Sequence, residues 1–316
     1  MGFNPMANRR KTEFRTMGRF TDQGETILDQ ATGLAWARNA ALSNFPLSWH
    51  EALDFVHTLN DAGFGGCNDW KLPNRRELFS LVSHETINPS LPSGHPFQNV
   101  FSGYYWTSTT CARLPDQAWY IHLGGARVYR GMKHNAYMVW PVRGAEDRPP
   151  RILQTGQREC YGAEGGIVDC GDSGQDGAYR SGIPLPEPRF EEEGDMVLDR
   201  ASGLAWLRNT DSAGSMLDWT AAMDAVARMN AGNEYGHSDW RLPAVTELES
   251  LTDMARHSPA LPGGHPFVGV QDFYWSSTTS IYDTRYAWAL YLRDGSVGVG
   301  YKPLAEFYLW PVRNRD

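Results

Sequence analysis

The sequence has no run of about eighteen apolar residues, so nothing in it reads as a membrane span. The opening Met1-Gly2-Phe3-Asn4-Pro5-Met6 lacks the apolar core of a signal peptide. A cytoplasmic protein is therefore expected as the sequence stands, or an exported one if a leader precedes it. Met6 also stands where a myristoylation signal needs Ser or Thr. Cysteine is scarce, with four in 316 residues. Cys67 and Cys111 have His237 and Ser280 as counterparts in a second copy of the same motifs, so free thiols are expected there. The spacing of Cys160 and Cys170 allows a disulfide across a Gly-rich loop, which would need an oxidising compartment. Two cysteines are too few for a structural zinc site.

Positive charge is missing where a phosphate grip would need it. The net charge is −8, and residues 189–316 carry eleven basic against eighteen acidic side chains. Residues 19–144 are balanced at ten each, and residues 145–188 carry four against eight. Sequence-independent nucleic-acid binding requires a basic surface. Neither nucleic acid nor a sulfated polysaccharide is expected as a partner. The one basic cluster, Arg9-Arg10-Lys11 with Arg15, reads as a solvated tail over residues 1–18.

Catalytic signatures are also lacking. There is no nucleophile elbow, Gly-rich phosphate loop or metal-binding His pair. Asn68-Asp69-Trp70 becomes Ser238-Asp239-Trp240 in the second copy. That is one acidic spot, where lectin-type calcium sites need clustered oxygen ligands. No cofactor and no catalytic residue is expected.

What is present is a repeat rich in aromatics, with 12 Trp, 14 Tyr and 13 Phe. Large rings mostly supply buried area, so most should be core anchors rather than ligand-stacking platforms. Asp69-Trp70-Lys71-Leu72-Pro73-Asn74-Arg75-Arg76-Glu77-Leu78 recurs 170 residues later as Asp239-Trp240-Arg241-Leu242-Pro243-Ala244-Val245-Thr246-Glu247-Leu248. Around each copy stand a β-turn-β piece ending in Gly-Leu-Ala-Trp, a helix and a Tyr-Trp strand. Each copy closes on Trp-Pro-Val-Arg. Ser48 with Glu51 predicts a capping box for the first helix, with Trp49, Ala52, Leu53, Val56 and Leu59 on one face. Asp218 caps the equivalent helix. Glu77 and Glu247 read as helix-start caps and dipole partners. His95 and His265 read as loop histidines bonded to backbone. One-residue length changes before Trp106 and before Gly125 cancel. The expected organisation is a tail (1–18), a domain (19–144), a linker (145–188) and a second domain (189–316). The linker is too long for a tight connection, so part of it should pack on a domain.

The order of these pieces resembles the Lcl C-terminal domain family of bacterial proteins. The residues that carry the likeness are Thr32 to Trp36, Trp49 with Ala52, Trp70 to Pro73 with Glu77-Leu78, Tyr105 to Thr110 and Pro141-Val142-Arg143, matched again in the second copy. The linker's Thr155-Gly156-Gln157, Cys160-Tyr161, Cys170 and Gly174 to Gly177 are similar to the family's inter-domain segment. A more distant similarity, to the formylglycine-generating enzyme group, implies an α+β fold. It would be two tandem C-type-lectin-like domains, each with two helices on a twisted antiparallel sheet. That group holds copper on cysteines near its C-terminus. Residues 119–143 and 288–313 contain no Cys, so the activity does not carry over.

In C-type-lectin-like folds the later strands and loops form the ligand face. Here Cys111–Gln117 diverges from Ser280–Tyr286, and Tyr129–Asn135 faces Val299–Ala305. The candidate contacts are Arg113, Asp116, Gln117, Arg130, Lys133 and Asn135, with Tyr282, Asp283, Arg285, Tyr286, Tyr301 and Lys302 in the second copy. The same residues would equally suit loops that merely tolerate change. The expectation is a non-catalytic recognition protein for a protein or glycan ligand, in keeping with the adhesin tips and retroelement-diversified proteins of the family. The alternative is an accessory subunit whose assembly partner docks on the acidic second domain. An enzyme is the remaining class.

Overall fold

The computed structural model describes residues 15–146 and 148–315. The basic cluster at 9–11 and Met6 lie outside the described residues. In domain 1 the strands are β1 (Arg15–Met17), β2 (Phe20–Asp22), β3 (Thr26–Asp29) and β4 (Leu34–Ala37). Helices α1 (Trp49–Asp61) and α2 (Arg75–Phe79) follow. Then come β5 (Tyr104–Thr110), β6 (Gln117–His122), β7 (Arg127–Met132) and β8 (Val142–Gly144). The connecting segment holds β9 (Cys160–Tyr161), β10 (Ile167–Val168) and α3 (Asp176–Tyr179). Domain 2 repeats the order: β11 (Phe190–Glu193), β12 (Met196–Asp199), β13 (Leu204–Leu207), α4 (Trp219–Ala231), α5 (Val245–Ser250), β14 (Phe273–Thr279), β15 (Tyr286–Tyr291), β16 (Ser296–Tyr301) and β17 (Val312–Asn314). Two tandem α+β domains are thus present. Strand β1 pairs with β2, so the first sheet reaches into the stretch read as tail.

In each domain the closing strand pairs with the Leu-Ala-Trp strand, β8 with β4 and β17 with β13. This brings the two ends of each domain together. The same pairs then recur. Arg143 holds Asp69 at 2.7 Å, and Arg313 holds Asp239 at 2.8 Å. Arg19 holds Asp29 at 2.6 Å, and Arg189 holds Asp199 at 2.8 Å. Trp140 meets Trp36 at 5.5 Å, and Trp310 meets Trp206 at 5.3 Å. Trp140 donates its indole N–H to the Ala37 carbonyl at 2.8 Å and Trp310 to the Leu207 carbonyl at 3.0 Å, whereas the indole N–H groups of Trp36 and Trp206 are buried without a partner among the described residues. Buried aromatic rings anchor both cores.

The helix starts follow the sequence closely. Glu77 reaches back to the Asn74 N–H (2.8 Å) while the Asn74 side chain accepts from the Glu77 N–H (2.9 Å). In the copy, Glu247 still reaches the Ala244 N–H at 2.7 Å. At α1 Glu51 likewise reaches back to the Ser48 N–H at 2.9 Å, and the Ser48 hydroxyl donates to the same carboxylate at 2.6 Å. His95 and His265 pack on Phe97 and Phe267, and the Nδ1 of each is buried without a partner, so packing and not a backbone bond holds the ring.

One register reading is corrected. The Lys133 carbonyl accepts from the Trp49 N–H at 2.9 Å, and the Lys302 carbonyl accepts from the Trp219 N–H at 3.0 Å. Lys133 is therefore the counterpart of Lys302, and the compensating length change lies after them, not before Gly125. Matching Gly125 to Gly295 misled the alignment. The left-handed turn residue is Ala126 (φ 59°) in one copy and Gly295 (φ 91°) in the other. Glycine takes that conformation without strain, and the other copy places alanine there instead.

Candidate functional site: the inter-domain cleft

The two domains share one sheet. Strands run in the order β14-β15-β16-β7-β6-β5, and β16 meets β7 antiparallel at Val297 and Val128. With the corrected register these two valines are counterparts. Equivalent residues facing each other across an antiparallel contact define an approximate twofold axis, so the duplicated chain is arranged like an isologous dimer.

Behind this sheet α2 packs towards α5, and the contact is not symmetric. Arg75, wholly buried, donates to Glu249 at 2.8 Å and to the Gly295 carbonyl, and lies over the Trp119 ring at 4.7 Å. Arg76 donates to the carbonyls of Gln154 (2.6 Å), Thr252 (2.6 Å) and Ser250 (3.1 Å). Their counterparts Val245 and Thr246 carry no charge, and Glu249 stands where domain 1 has Phe79. His84 lies against Trp288 at 5.0 Å, and burial pushes its pKa down to about 4.

In front of the sheet, side chains alternate. Trp119 and Ile121 face inward, while Tyr120 and His122 of β6 and Arg127 and Tyr129 of β7 line a cleft at the domain junction. Its volume is about 640 Å³, and Tyr104, Arg113, Arg130, Phe273, Tyr291, Arg293 and Asp294 complete the wall. Tyr104, Tyr120 and Tyr137 pack together with ring centroids 5.0–5.1 Å apart. Burial, then the neighbouring tyrosines, push Tyr120 up to about 12. Burial, then Arg127, hold His122 below its usual value.

Asp294 is already matched, lying 2.5 Å from Arg130 and 4.0 Å from Arg113. Arg127 and Arg293 have no ion pair among the described residues. The cleft therefore offers two free guanidinium groups beside exposed rings of Tyr104 and Tyr129, in a chain of net charge −8. A neighbouring hollow of about 420 Å³ shares His122, Arg127 and Val299 and is lined by Tyr282, Asp283 and Tyr286. Among the described residues no group of three or more His, Cys, Asp or Glu is placed to hold a metal.

Of the residues expected at the ligand face, Arg113 and Arg130 line the cleft, and Tyr282, Asp283 and Tyr286 line the hollow. Arg130 is spent largely on Asp294, so it ties domain to domain. Arg285 is turned onto Asp283 at 2.6 Å. Lys133, only 2% exposed, donates to the carbonyls of Tyr161 and Gly162 and is enclosed by the connecting segment. Asp116 and Gln117 sit with it, their carbonyls accepting from the main chains of Lys133 and Cys111. Asn135 donates to the Tyr137 hydroxyl at 3.2 Å. Tyr301 packs on Tyr286 at 5.2 Å, and Lys302 donates to Thr279 at 2.8 Å. Tyr104, Arg127 and Arg293 were missed. The alternation Arg127-Val128-Tyr129 was the available signal, a strand with one polar face.

Residues 25–143 and 195–313 each match the model of the Lcl C-terminal domain. The chain belongs to the Lcl C-terminal domain family. The segment between the two matches carries Cys160 and Cys170. A search of curated proteins finds no match. No described helix is long and apolar enough to cross a membrane.

Proposed function

We propose that this tandem pair is a non-catalytic recognition protein that captures a carboxylate-bearing glycan in the cleft between its Lcl C-terminal domains. One observation carries the reading: Arg127 and Arg293, both without an ion pair among the described residues, stand beside exposed tyrosine rings at the domain junction. A guanidinium presents a planar fork to a carboxylate, and a tyrosine ring offers a flat apolar face to a sugar. The likeness to C-type-lectin-like folds, whose later strands bear the ligand, supports the same face. The Cys160–Cys170 bridge, with Cα atoms 5.2 Å apart, favours an oxidising compartment and hence export.

The test is capture on a glycan array by the intact chain. Arg127→Ala and Tyr129→Ala should each weaken capture at least about tenfold, the equivalent of one charge-assisted hydrogen bond. Their melting temperatures should match the parent's. Capture unchanged in both variants would remove the cleft as the site.

The assembly-subunit reading keeps one supporting observation, an uncovered side face on domain 2. Its acidic strand β11 is a weaker docking surface than composition suggested. Glu191, Glu192 and Glu193 pair with Arg200, Arg208 and Arg315 at 3.5, 2.8 and 3.5 Å.

A further inference from the structure

The connecting segment lies along one side of domain 1 and bonds to the outer edge of β5. The Gln157 carboxamide accepts from the Thr110 N–H (2.9 Å) and donates to the Thr110 carbonyl (2.8 Å). The Asp176 carboxylate accepts from the hydroxyls of Thr109 (2.7 Å) and Thr155 (2.6 Å). Lys133 lies over Trp49 at 4.2 Å and donates to two carbonyls of the segment. The Thr155 carbonyl accepts from the Met254 N–H at 2.8 Å, across the domain boundary.

Domain 2 keeps the groups that receive this segment, and no segment of the described residues lies on them. Trp219 is only half-buried, whereas the other tryptophans are buried. Met223 is 39% exposed where its counterpart Leu53 is 4%. Lys302 lies over Trp219 at 4.2 Å, as Lys133 does over Trp49, but turns back to the Thr279 hydroxyl at 2.8 Å. Thr279 holds the register place of Thr110, opposite Ala287 as Thr110 is opposite Ala118. No side chain among the described residues bonds to the Thr279 main chain. The His84 N–H, counterpart of the Met254 N–H, has no acceptor among the described residues. The path itself is open: a groove of about 770 Å³ runs past His84, Thr246, Thr278 and Thr279.

We propose that this face of domain 2 is a docking site for a compact acidic segment of a partner protein with the chemistry of the chain's own connecting segment. A Gln carboxamide would clamp the Thr279 main chain, and a carboxylate would take the Thr278 hydroxyl. Main-chain carbonyls would draw Lys302 out and accept from His84. The occupant follows from the covered copy, where each of these contacts is already made. It also follows from charge: Lys302 over Trp219 and Arg19 along the groove are the site's cations against one anion, Glu85, and residues 145–188 carry eight acidic against four basic side chains. A second copy cannot lend its own segment without uncovering Asp176, which is buried on its domain 1. Ala244 and Thr246 replace Asn74 and Arg76, which bond to carbonyls of Ser181 and Gln154, so the partner segment has fewer anchors and docks reversibly.

The probe is a fluorescent peptide of residues 151–183 closed by its Cys160–Cys170 bridge, titrated by anisotropy into the full chain. One-to-one saturable binding is expected. Lys302→Ala and Thr278→Val in the protein, or Gln157→Ala in the peptide, should each weaken it at least about tenfold. Thermal melts of the protein variants control for folding. Three results overturn the proposal: no binding up to about 1 mM, binding that Lys302→Ala leaves intact, or self-association of the chain that Lys302→Ala abolishes, which would make a second copy the occupant. Arg127→Ala should bind the peptide like the parent, so failure of the glycan cleft and failure of this site are separately visible.

Discussion

Trp49 and Trp219 begin the long helices of the two domains, and each donates its indole N–H to a strand carbonyl, Thr107 at 2.7 Å and Ser276 at 2.9 Å. The ring, the lysine above it and the strand beneath it are the same. Only the cover differs. Around Trp49 the connecting segment buries Leu53, Asn74, Lys133 and Thr110, and around Trp219 their counterparts reach solvent. The difference teaches that the repeat supplies a receptive side face twice, and that the described residues fill it once. A second difference lies at the shared sheet. There the copies have diverged into complementary partners, Arg75 and Arg76 on one side and Glu249 on the other. Duplication gave two like surfaces, and substitution at the axis made them fit as unlike ones.

The largest expected effect breaks that second asymmetry. Glu249→Ala leaves two buried guanidinium groups without their carboxylate, which should cost about 3–5 kcal/mol. Chemical denaturation should then show the domains separating into two transitions.

Next in size is His84, the counterpart of Met254. Its pKa falls from 6.5 to about 4 on folding because burial disfavours the charged ring. A depressed histidine stabilises the fold while both states are neutral, and that stability is lost as pH falls from 6.5 towards 4. The loss is on the order of 3 kcal/mol. His84→Met, which makes the two copies alike, should remove this part of the acid sensitivity in urea melts at pH 7 and pH 4.5.

A smaller effect compares the two tryptophans. Trp49→Ala should destabilise by about 2 kcal/mol more than Trp219→Ala, because only the first opens a fully enclosed cavity. Equal losses would mean that the connecting segment adds little cover.

The pH effect of opposite sign concerns Asp176, whose pKa burial pushes up to about 6. Folding favours its protonated form, so its contribution is present below about pH 4 and lost as pH rises through 6. Asp176→Asn should gain on the order of 3 kcal/mol at pH 8 and little at pH 4, the reverse of the His84 trend.

Much of the fold was legible because local signals agreed. Asn74 with Glu77, Asp218 with its helix and the Trp-Pro-Val-Arg closers are short-range patterns with one structural answer each, and seeing them twice fixed the domain order. The cleft was less legible. It forms where β7 meets β16, so its walls come from segments 170 residues apart, and no local pattern states that two repeats will share a sheet. Lys133 looked like a ligand contact because it is a charged residue on a divergent strand end. Its enclosure depends on a segment whose path only tertiary packing decides. Arg75 and Arg76 gave a visible hint, two arginines where the copy has Val245 and Thr246. A charge present in one repeat alone marks a surface that is not the same in both.

The most direct measurement is amide and indole hydrogen exchange on the intact chain, followed at the Trp49 and Trp219 indoles and along the two edge strands. Trp49, Thr109 and Thr110 should exchange much more slowly than Trp219, Thr278 and Thr279, since one edge is covered and the other open. Equal protection on the two sides would contradict the account.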